Sequence, residues 1–197
     1  MTDATPSQAR LRIYLAGPEV FLPNALEAGR RKVELCAEAG FEGVFPLDAS
    51  LDLAGLDKLE QARRISLANE ALMRSCDLLI ANMTPFRGVS MDAGTAFEIG
   101  FMRALGRPVL GYSNVTPDLH QRSVAFRARG IPPGDSDRPD TEIENFGLAE
   151  NLMLAIAIVE TGSNVVTHSV TPGKEMTDLT AFTFCLDDAR HLIPSDS

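Results

Sequence analysis

The sequence predicts a three-layer α/β domain built on a doubly wound parallel sheet, and three observations carry that prediction. Short apolar runs alternate with longer segments whose apolar residues recur at helical spacing, the pattern of strands joined by crossover helices. The run Leu78-Leu79-Ile80-Ala81 is apolar at every position, as expected of a strand covered on both faces. Breakers stand at the joints: Gly17-Pro18 after the first run, and Gly40 after the first periodic segment.

Taken in order, residues 1–10 read as a loose polar tail and 11–197 as a single domain. Leu11 to Ala16 is a first strand. From Pro23 to Ala39 the positions Leu26, Gly29, Val33, Cys36 and Ala37 give a first helix, ended by Gly40. Gly43 to Leu47 is a second strand, and Leu59 to Ser75 a second helix with Ile65, Leu72 and Cys76 on its inward stripe. Asp77 to Met83 is the third strand. A loop from Thr84 to Gly94 leads to a third helix, Thr95 to Leu105, and Arg107 to Tyr112 is the fourth strand. Residues 114–145, with Pro117, Pro132, Pro133, Pro139 and many charges, read as one long loop and a candidate lid. An apolar helix follows from Leu148 to Val159, then a fifth strand at Val165-Val166-Thr167 and a last short helix within Leu179 to Leu192. Four to five strands result.

Composition narrows the function. A formal charge of −9 argues against broad electrostatic binding to DNA or RNA, though not against a small neutral ligand. No apolar stretch approaches the roughly 18 residues of a membrane span, and no secretory signal is visible, so a cytoplasmic location is expected. Cys36, Cys76 and Cys185 read as small core hydrophobes, and His120, His168 and His191 are scattered, so no metal site is expected. Neither a G-x-G-x-x-G nor a Walker A sequence is present.

In an open parallel sheet, ligands sit at the carboxyl ends of the strands. The informative segment there is Ser90-Met91-Asp92-Ala93-Gly94-Thr95-Ala96-Phe97-Glu98-Ile99-Gly100. Glu98 falls in the first turn of a helix that is apolar on nearly every side, where a carboxylate must be paired or functional. Thr95-x-x-Glu98 is also a capping box, so a capping role competes with a catalytic one. Asp92, separated from that turn by Gly94, supplies a second acid. Two carboxylates at a strand end suit glycosidic chemistry, one attacking the anomeric carbon and one handling the leaving group's proton. The alternative for Asp92 is a solvated loop residue or an N-cap. The start of the helix is expected to help keep Glu98 ionised. Tyr14 reads as a core aromatic or a catalytic hydroxyl, and Asn69 as an amide paired with backbone or serving the site. Phe21, Phe86 and Met83 fit either a core or a stack on a flat base.

Three blocks carry a resemblance: Tyr14-Leu15-Ala16-Gly17-Pro18, Cys76 to Gly88, and Asp92 to Gly100. Together with Phe146-Gly147-Leu148 and Asn151 to Leu154, they closely resemble the nucleoside 2-deoxyribosyltransferases. The resemblance covers residues 11–112 and 146–158. It implies a flavodoxin-like sheet, no metal, no cofactor, and double displacement through a covalent deoxyribosyl-enzyme. Carried over residue by residue, Glu98 is the nucleophile, Tyr14 orients it, and Asp92 contacts the base and helps protonate it. Asn69 supports the base side, and Asp48 lies near the base pocket. Asn151 reaches the sugar in a neighbouring subunit's site, which implies a homo-oligomer. The partners are then a deoxynucleoside and a free nucleobase, with no nucleic acid and no membrane. An N-glycosidase that hydrolyses deoxynucleosides or their 5′-monophosphates, and a non-catalytic nucleotide-binding module, are the alternatives.

Overall fold

The computed structural model describes residues 10–46, 51–130 and 140–192. Five parallel strands form one sheet in the order β2-β1-β3-β4-β5: β1 (Arg12–Ala16), β2 (Glu42–Val44), β3 (Leu78–Asn82), β4 (Val109–Ser113) and β5 (Val165–Thr167). Tyr14 is in register with Val44 on one side and Leu79 on the other. This is the flavodoxin-like doubly wound arrangement. The chain leaves β1 for the sheet edge at β2 and returns to pair β3 with β1, so the switch point lies between β1 and β3.

The period-two alternation of the strands sorts the helices into layers. Ile13, Leu15, Leu78, Ile80, Leu110 and Tyr112 face α1 (Ala25–Glu38) and α6 (Thr180–Leu192), where they meet Cys36, Phe182, Cys185 and Leu186. Tyr14, Ala16, Leu79, Ala81 and Val109 face the other way. They meet Met73 of α2 (Lys58–Arg74), Ile99 and Met102 of α3 (Ala93–Ala104) and Ile158 of α5 (Leu152–Val159). Every residue of β3 and β4 is buried, as the unbroken apolar run predicted. Each such Leu or Ile contributes about 1.5–3 kcal/mol through removal from water. The three cysteines are buried and unbridged.

Several elements differ from the sequence reading. Leu119–Ala128 forms a helix, α4, inside the segment expected to be loop. Its start is set by a reciprocal cap, with Gln121 N donating to Asp118 Oδ1 (2.7 Å) and Asp118 N donating to Gln121 Oε1 (3.0 Å). No residue of α4 is buried, so it carries no apolar periodicity that would reveal it. Residues Pro18–Phe21 make a single 3-10 turn directly after β1. Leu26 (71% exposed) and Ile65 (42%) lie outside the core despite their helical spacing, whereas Lys32 is buried on α1. The expected tail falls almost wholly on residues 1–9, and part of the 114–145 segment on 131–139; both stretches lie outside the described residues. Among the described residues, no helix is long and apolar enough to cross a membrane.

Candidate active site

Tyr14 and Glu98 meet across 84 residues of sequence at the β1–α3 junction. Tyr14 sits in β1 with its side chain on the α2/α3 side of the sheet, and none of it is exposed. Its hydroxyl donates to Glu98 Oε1 at 2.7 Å. A carboxylate acceptor makes this a charge-assisted bond, the stronger class. Burial raises the Tyr14 phenol far above its ordinary range, and the Glu98 charge raises it further. Tyr14 is therefore a fixed neutral donor. Burial likewise raises the Glu98 carboxyl from 4.5 to about 7; the bond from Tyr14 opposes that shift, and the nearby Asp92 charge adds to it. Among the described residues nothing hydrogen-bonds to Glu98 Oε2. One oxygen is thus oriented and the other is available.

Asp92, not Thr95, caps α3. Its Oδ2 accepts from Thr95 N (3.1 Å) and Thr95 Oγ1 (3.3 Å), and the helix begins at Ala93. The expected Thr95-x-x-Glu98 capping box is therefore absent. With the start two residues earlier, Glu98 lies in the second turn, beyond the reach of the terminal backbone donors. The helix start does not keep Glu98 ionised; burial governs it. Asp92 takes the N-cap role weighed for it, and capping engages only Oδ2. Oδ1 makes no hydrogen bond among the described residues.

The aromatic pair at the mouth of the switch point is stacked. Phe21 and Phe86 have ring centroids 5.5 Å apart and planes 12° apart, and the Arg87 guanidinium lies 4.9 and 4.6 Å from the two rings. Arg87 has φ of 58°, a left-handed conformation at the tip of the loop closed by Phe86 N donating to Ser90 O (2.9 Å). Asn69 is half-buried on α2. Asp48 lies outside the described residues. Asn151 is the N-cap of α5: its Oδ1 accepts from Met153 N (3.0 Å) and its Nδ2 donates to Glu144 Oε2 (2.8 Å).

Two buried polar groups escaped the sequence reading. Glu19, 1% exposed, is ion-paired with Lys32, also 1% exposed, through Oε1. The same oxygen accepts from Asn82 Nδ2 (2.9 Å) and Tyr112 OH (3.2 Å). Gly17 makes room for this carboxylate, because a Cβ there would collide with Glu19 Oε2, and its φ of 156° disfavours other residues. The available signal was Lys32, which stands with Gly29 and Cys36 on the buried face of α1. The second group is Glu150, fully buried beside Arg122, and nothing in its local sequence marks it. Among the described residues no three His, Cys, Asp or Glu side chains are grouped to hold a metal.

Comparison with known proteins agrees with this fold. A solved 2-desoxiribosyltransferase from Leishmania mexicana is similar at 29% identity and a TM-score of 0.62, covering 90% of this chain and 97% of that one. A conserved protein of Enterococcus faecalis V583, at 22% identity and a TM-score of 0.51, covers 82% and 92% respectively and shares the fold. An uncharacterized Schizosaccharomyces pombe protein is 39% identical over 132 residues, which span 64% of this chain and 60% of that protein. Residues 13–153, which include Tyr14, Asp92, Glu98 and Asn151, match the family profile described as nucleoside 2-deoxyribosyltransferase. With nearly three-quarters of its length inside that match, the chain belongs to the nucleoside 2-deoxyribosyltransferase family.

Proposed function

We propose that this protein transfers 2-deoxyribose between nucleobases by double displacement, with Glu98 as the nucleophile. The observation that carries the reading is the part-buried Tyr14–Glu98 hydrogen bond at 2.7 Å, which orients one carboxylate oxygen and leaves the other without a hydrogen bond among the described residues. Glu98 Oε2 attacks C1′ of the deoxynucleoside as the C1′–N bond breaks, through an oxocarbenium-like transition state. The bonding electrons leave with the base, and Asp92 helps deliver the proton that neutralises it. A second base enters, its nitrogen attacks C1′ from the opposite side as its N–H proton passes back to Asp92, and Glu98 is released as carboxylate with net retention at C1′.

The raised Glu98 pKa supports this role. A poorly solvated carboxylate near pH 7 is a better nucleophile than a hydrated one, and it stabilises the cationic sugar at short range. Phe21 and Phe86, with Arg87 over both rings, supply a flat aromatic surface against which a base is stacked. Asn69 and Asp48 complete the base side. No cofactor takes part. The substrates in this reading are a deoxynucleoside and a free nucleobase, the chemistry of nucleoside salvage, and the location proposed is the cytoplasm.

A homo-oligomer fits the surface. Phe97 of α3 (57% exposed) and Met153 and Ile156 of the adjoining α5 (72% and 42%) are large apolar side chains left at the surface. In this reading Asn151 reaches a neighbouring site. Its two bonds within the chain use one Oδ1 lone pair and one Nδ2 proton, so a second acceptor and a second donor remain for the sugar.

Incubation with 2′-deoxyinosine and free adenine, with Glu98→Ala as control, tests the assignment. Transfer yields new 2′-deoxyadenosine with the intact protein and none with the variant. Free hypoxanthine without deoxyadenosine, repeated with pyrimidine donors, makes the protein a hydrolase. No turnover of any deoxynucleoside or deoxynucleotide overturns the enzymatic reading in favour of a binding module.

A further inference from the structure

Behind the loop that carries Asp92 lies an ion pair, fully buried at its carboxylate and largely covered at its guanidinium, with no part in the chemistry described above. Glu150 is fully buried, and its Oε2 accepts from Arg122 Nη2 (3.1 Å) and from Met91 N (3.2 Å). Its Oε1 accepts from Ser90 Oγ (2.5 Å) and Asn151 N (3.2 Å). Arg122, projecting from α4, also donates Nε to Val89 O (2.8 Å), Nη1 to Pro117 O (2.6 Å) and Nη2 to Ala149 O (2.9 Å).

These contacts have a common character. Apart from Ser90 and the pair itself, all of them go to backbone, so they fix the path of the chain rather than the pose of neighbouring side chains. They also join three segments: 89–91 after β3, Pro117 after β4, and 149–151 before α5. A planar guanidinium and a carboxylate hold such partners in fixed directions, which a lysine or an apolar pair does not. Withdrawing such a pair from water is a poor route to stability alone, because desolvation offsets much of their attraction. What the pair secures is the position of the residues that enter α3.

We propose that Arg122 and Glu150 are positioning residues for the reaction: they clamp Val89-Ser90-Met91 so that Asp92 is presented to the departing base at a fixed distance from Glu98. The inference rests on the reading of Glu98 and Asp92 as the reacting carboxylates. Met91 is covalently next to Asp92, so release of Met91 N and Ser90 Oγ displaces the Asp92 backbone before any other part of the site. The same carboxylate holds Asn151 N, so the entry to α5 is set from the same point. Lengthening the Asp92-to-base contact weakens proton delivery to the leaving group while leaving Tyr14 and Glu98 in place. The step that suffers is formation of the glycosyl-enzyme, not encounter with the nucleoside.

The test uses Glu150→Gln and Arg122→Lys in the full chain, together with the double variant Arg122→Met/Glu150→Leu. The double variant removes both charges together and guards against misfolding from an unpaired buried charge. Single-turnover measurements with 2′-deoxyinosine separate the rate of adduct formation from its amplitude, and hydrogen–deuterium exchange follows the peptide spanning 88–96. The expected result is adduct formation slowed by about 10- to 100-fold, at full amplitude and with little change in substrate affinity. Exchange is expected to accelerate within 88–96 but not in β1 or β3. Arg122→Lys, which keeps the charge but loses the fork, is expected to fall between Glu150→Gln and the intact protein. A reduced amplitude at an unchanged rate would show a merely structural role and overturn the proposal, as would unchanged exchange. If the intact protein forms no adduct, the reading of the site fails instead, and exchange alone then decides whether the clamp holds the loop.

Discussion

Replacing Tyr14 by phenylalanine removes a single oxygen from a fully buried side chain and leaves its packing against Val44 and Leu79 intact. The lost oxygen is the donor to Glu98 Oε1 at 2.7 Å. That bond is one of three influences on the Glu98 carboxyl and the only one that lowers its pKa; burial and the Asp92 charge both raise it, to the net value of about 7. A hydrogen bond to a charged group is worth about 1.5–3 kcal/mol. Dividing by 1.36 kcal/mol for each pH unit, its loss moves the Glu98 pKa up by about one to two. At pH 7 the ionised fraction then falls from about half to about 1–10%. The kcat/KM for deoxynucleoside cleavage is expected to drop roughly 5- to 50-fold at pH 7 and to recover substantially at alkaline pH. The assay is the pH profile of kcat/KM, whose acid limb reports the free enzyme's essential base. An acid limb that stays near pH 7 in the variant, with a uniform loss at every pH, would refute the assignment of Tyr14 to the control of Glu98.

Further outcomes follow from the same contacts. Glu98→Gln is expected to leave stability unchanged below about pH 4.5 and to raise it by about 1–3 kcal/mol above pH 7, measured by urea unfolding at both ends. The native carboxyl binds its proton more tightly than the unfolded one, so the intact protein loses stability as pH rises between the two values. Lys32→Met leaves the Glu19 charge buried without its partner and is expected to cost about 3–5 kcal/mol, whereas Lys32→Met with Glu19→Gln is expected to regain much of it in a double-mutant cycle. Gly29→Ala drives a methyl group into the buried Phe45 ring, and about 1–3 kcal/mol of destabilisation is expected in the same assay. Phe21→Ala changes a side chain that is 53% exposed, so a stability loss below about 1 kcal/mol is expected alongside a roughly tenfold rise in KM for the deoxynucleoside.

The sheet was legible because its strands announce themselves by burial. Leu78 to Ala81 are apolar in succession since helices cover both faces, and Ile13/Leu15 against Tyr14/Ala16 divide cleanly between two cores. Helix α4 was hidden for the opposite reason: with no buried residue it bears no stripe, and its only marker is the Asp118-x-x-Gln121 cap. The α3 start was misplaced because Asp92 and Thr95 both have capping side chains, and local sequence does not decide between them. The geometry does, and it moves Glu98 from a capping position to a half-buried one in the second turn. Periodicity also misread α1, where Leu26 is exposed and Lys32 is buried, since a lysine inside becomes tolerable only when it joins Asn82 and Tyr112 on the Glu19 carboxylate. Tyr14 and Asp92 were each ambiguous alone. The proposal for them rests on their standing together with Glu98 inside the family match, which spans all three. Glu150 and Arg122 were not readable at all, because their partners are backbone atoms of three loops that only the fold brings together.

The most direct test of the central claim is to trap the sugar on the enzyme. The protein is incubated with 2′-deoxyinosine and no acceptor base, then acid-quenched, weighed intact and digested for peptide mapping. The account predicts a mass gain of one dehydrated deoxyribose, located on Glu98, enhanced at pH above 7 and absent in Glu98→Gln. Release of hypoxanthine without any adduct, or an adduct on a residue other than Glu98, would contradict it.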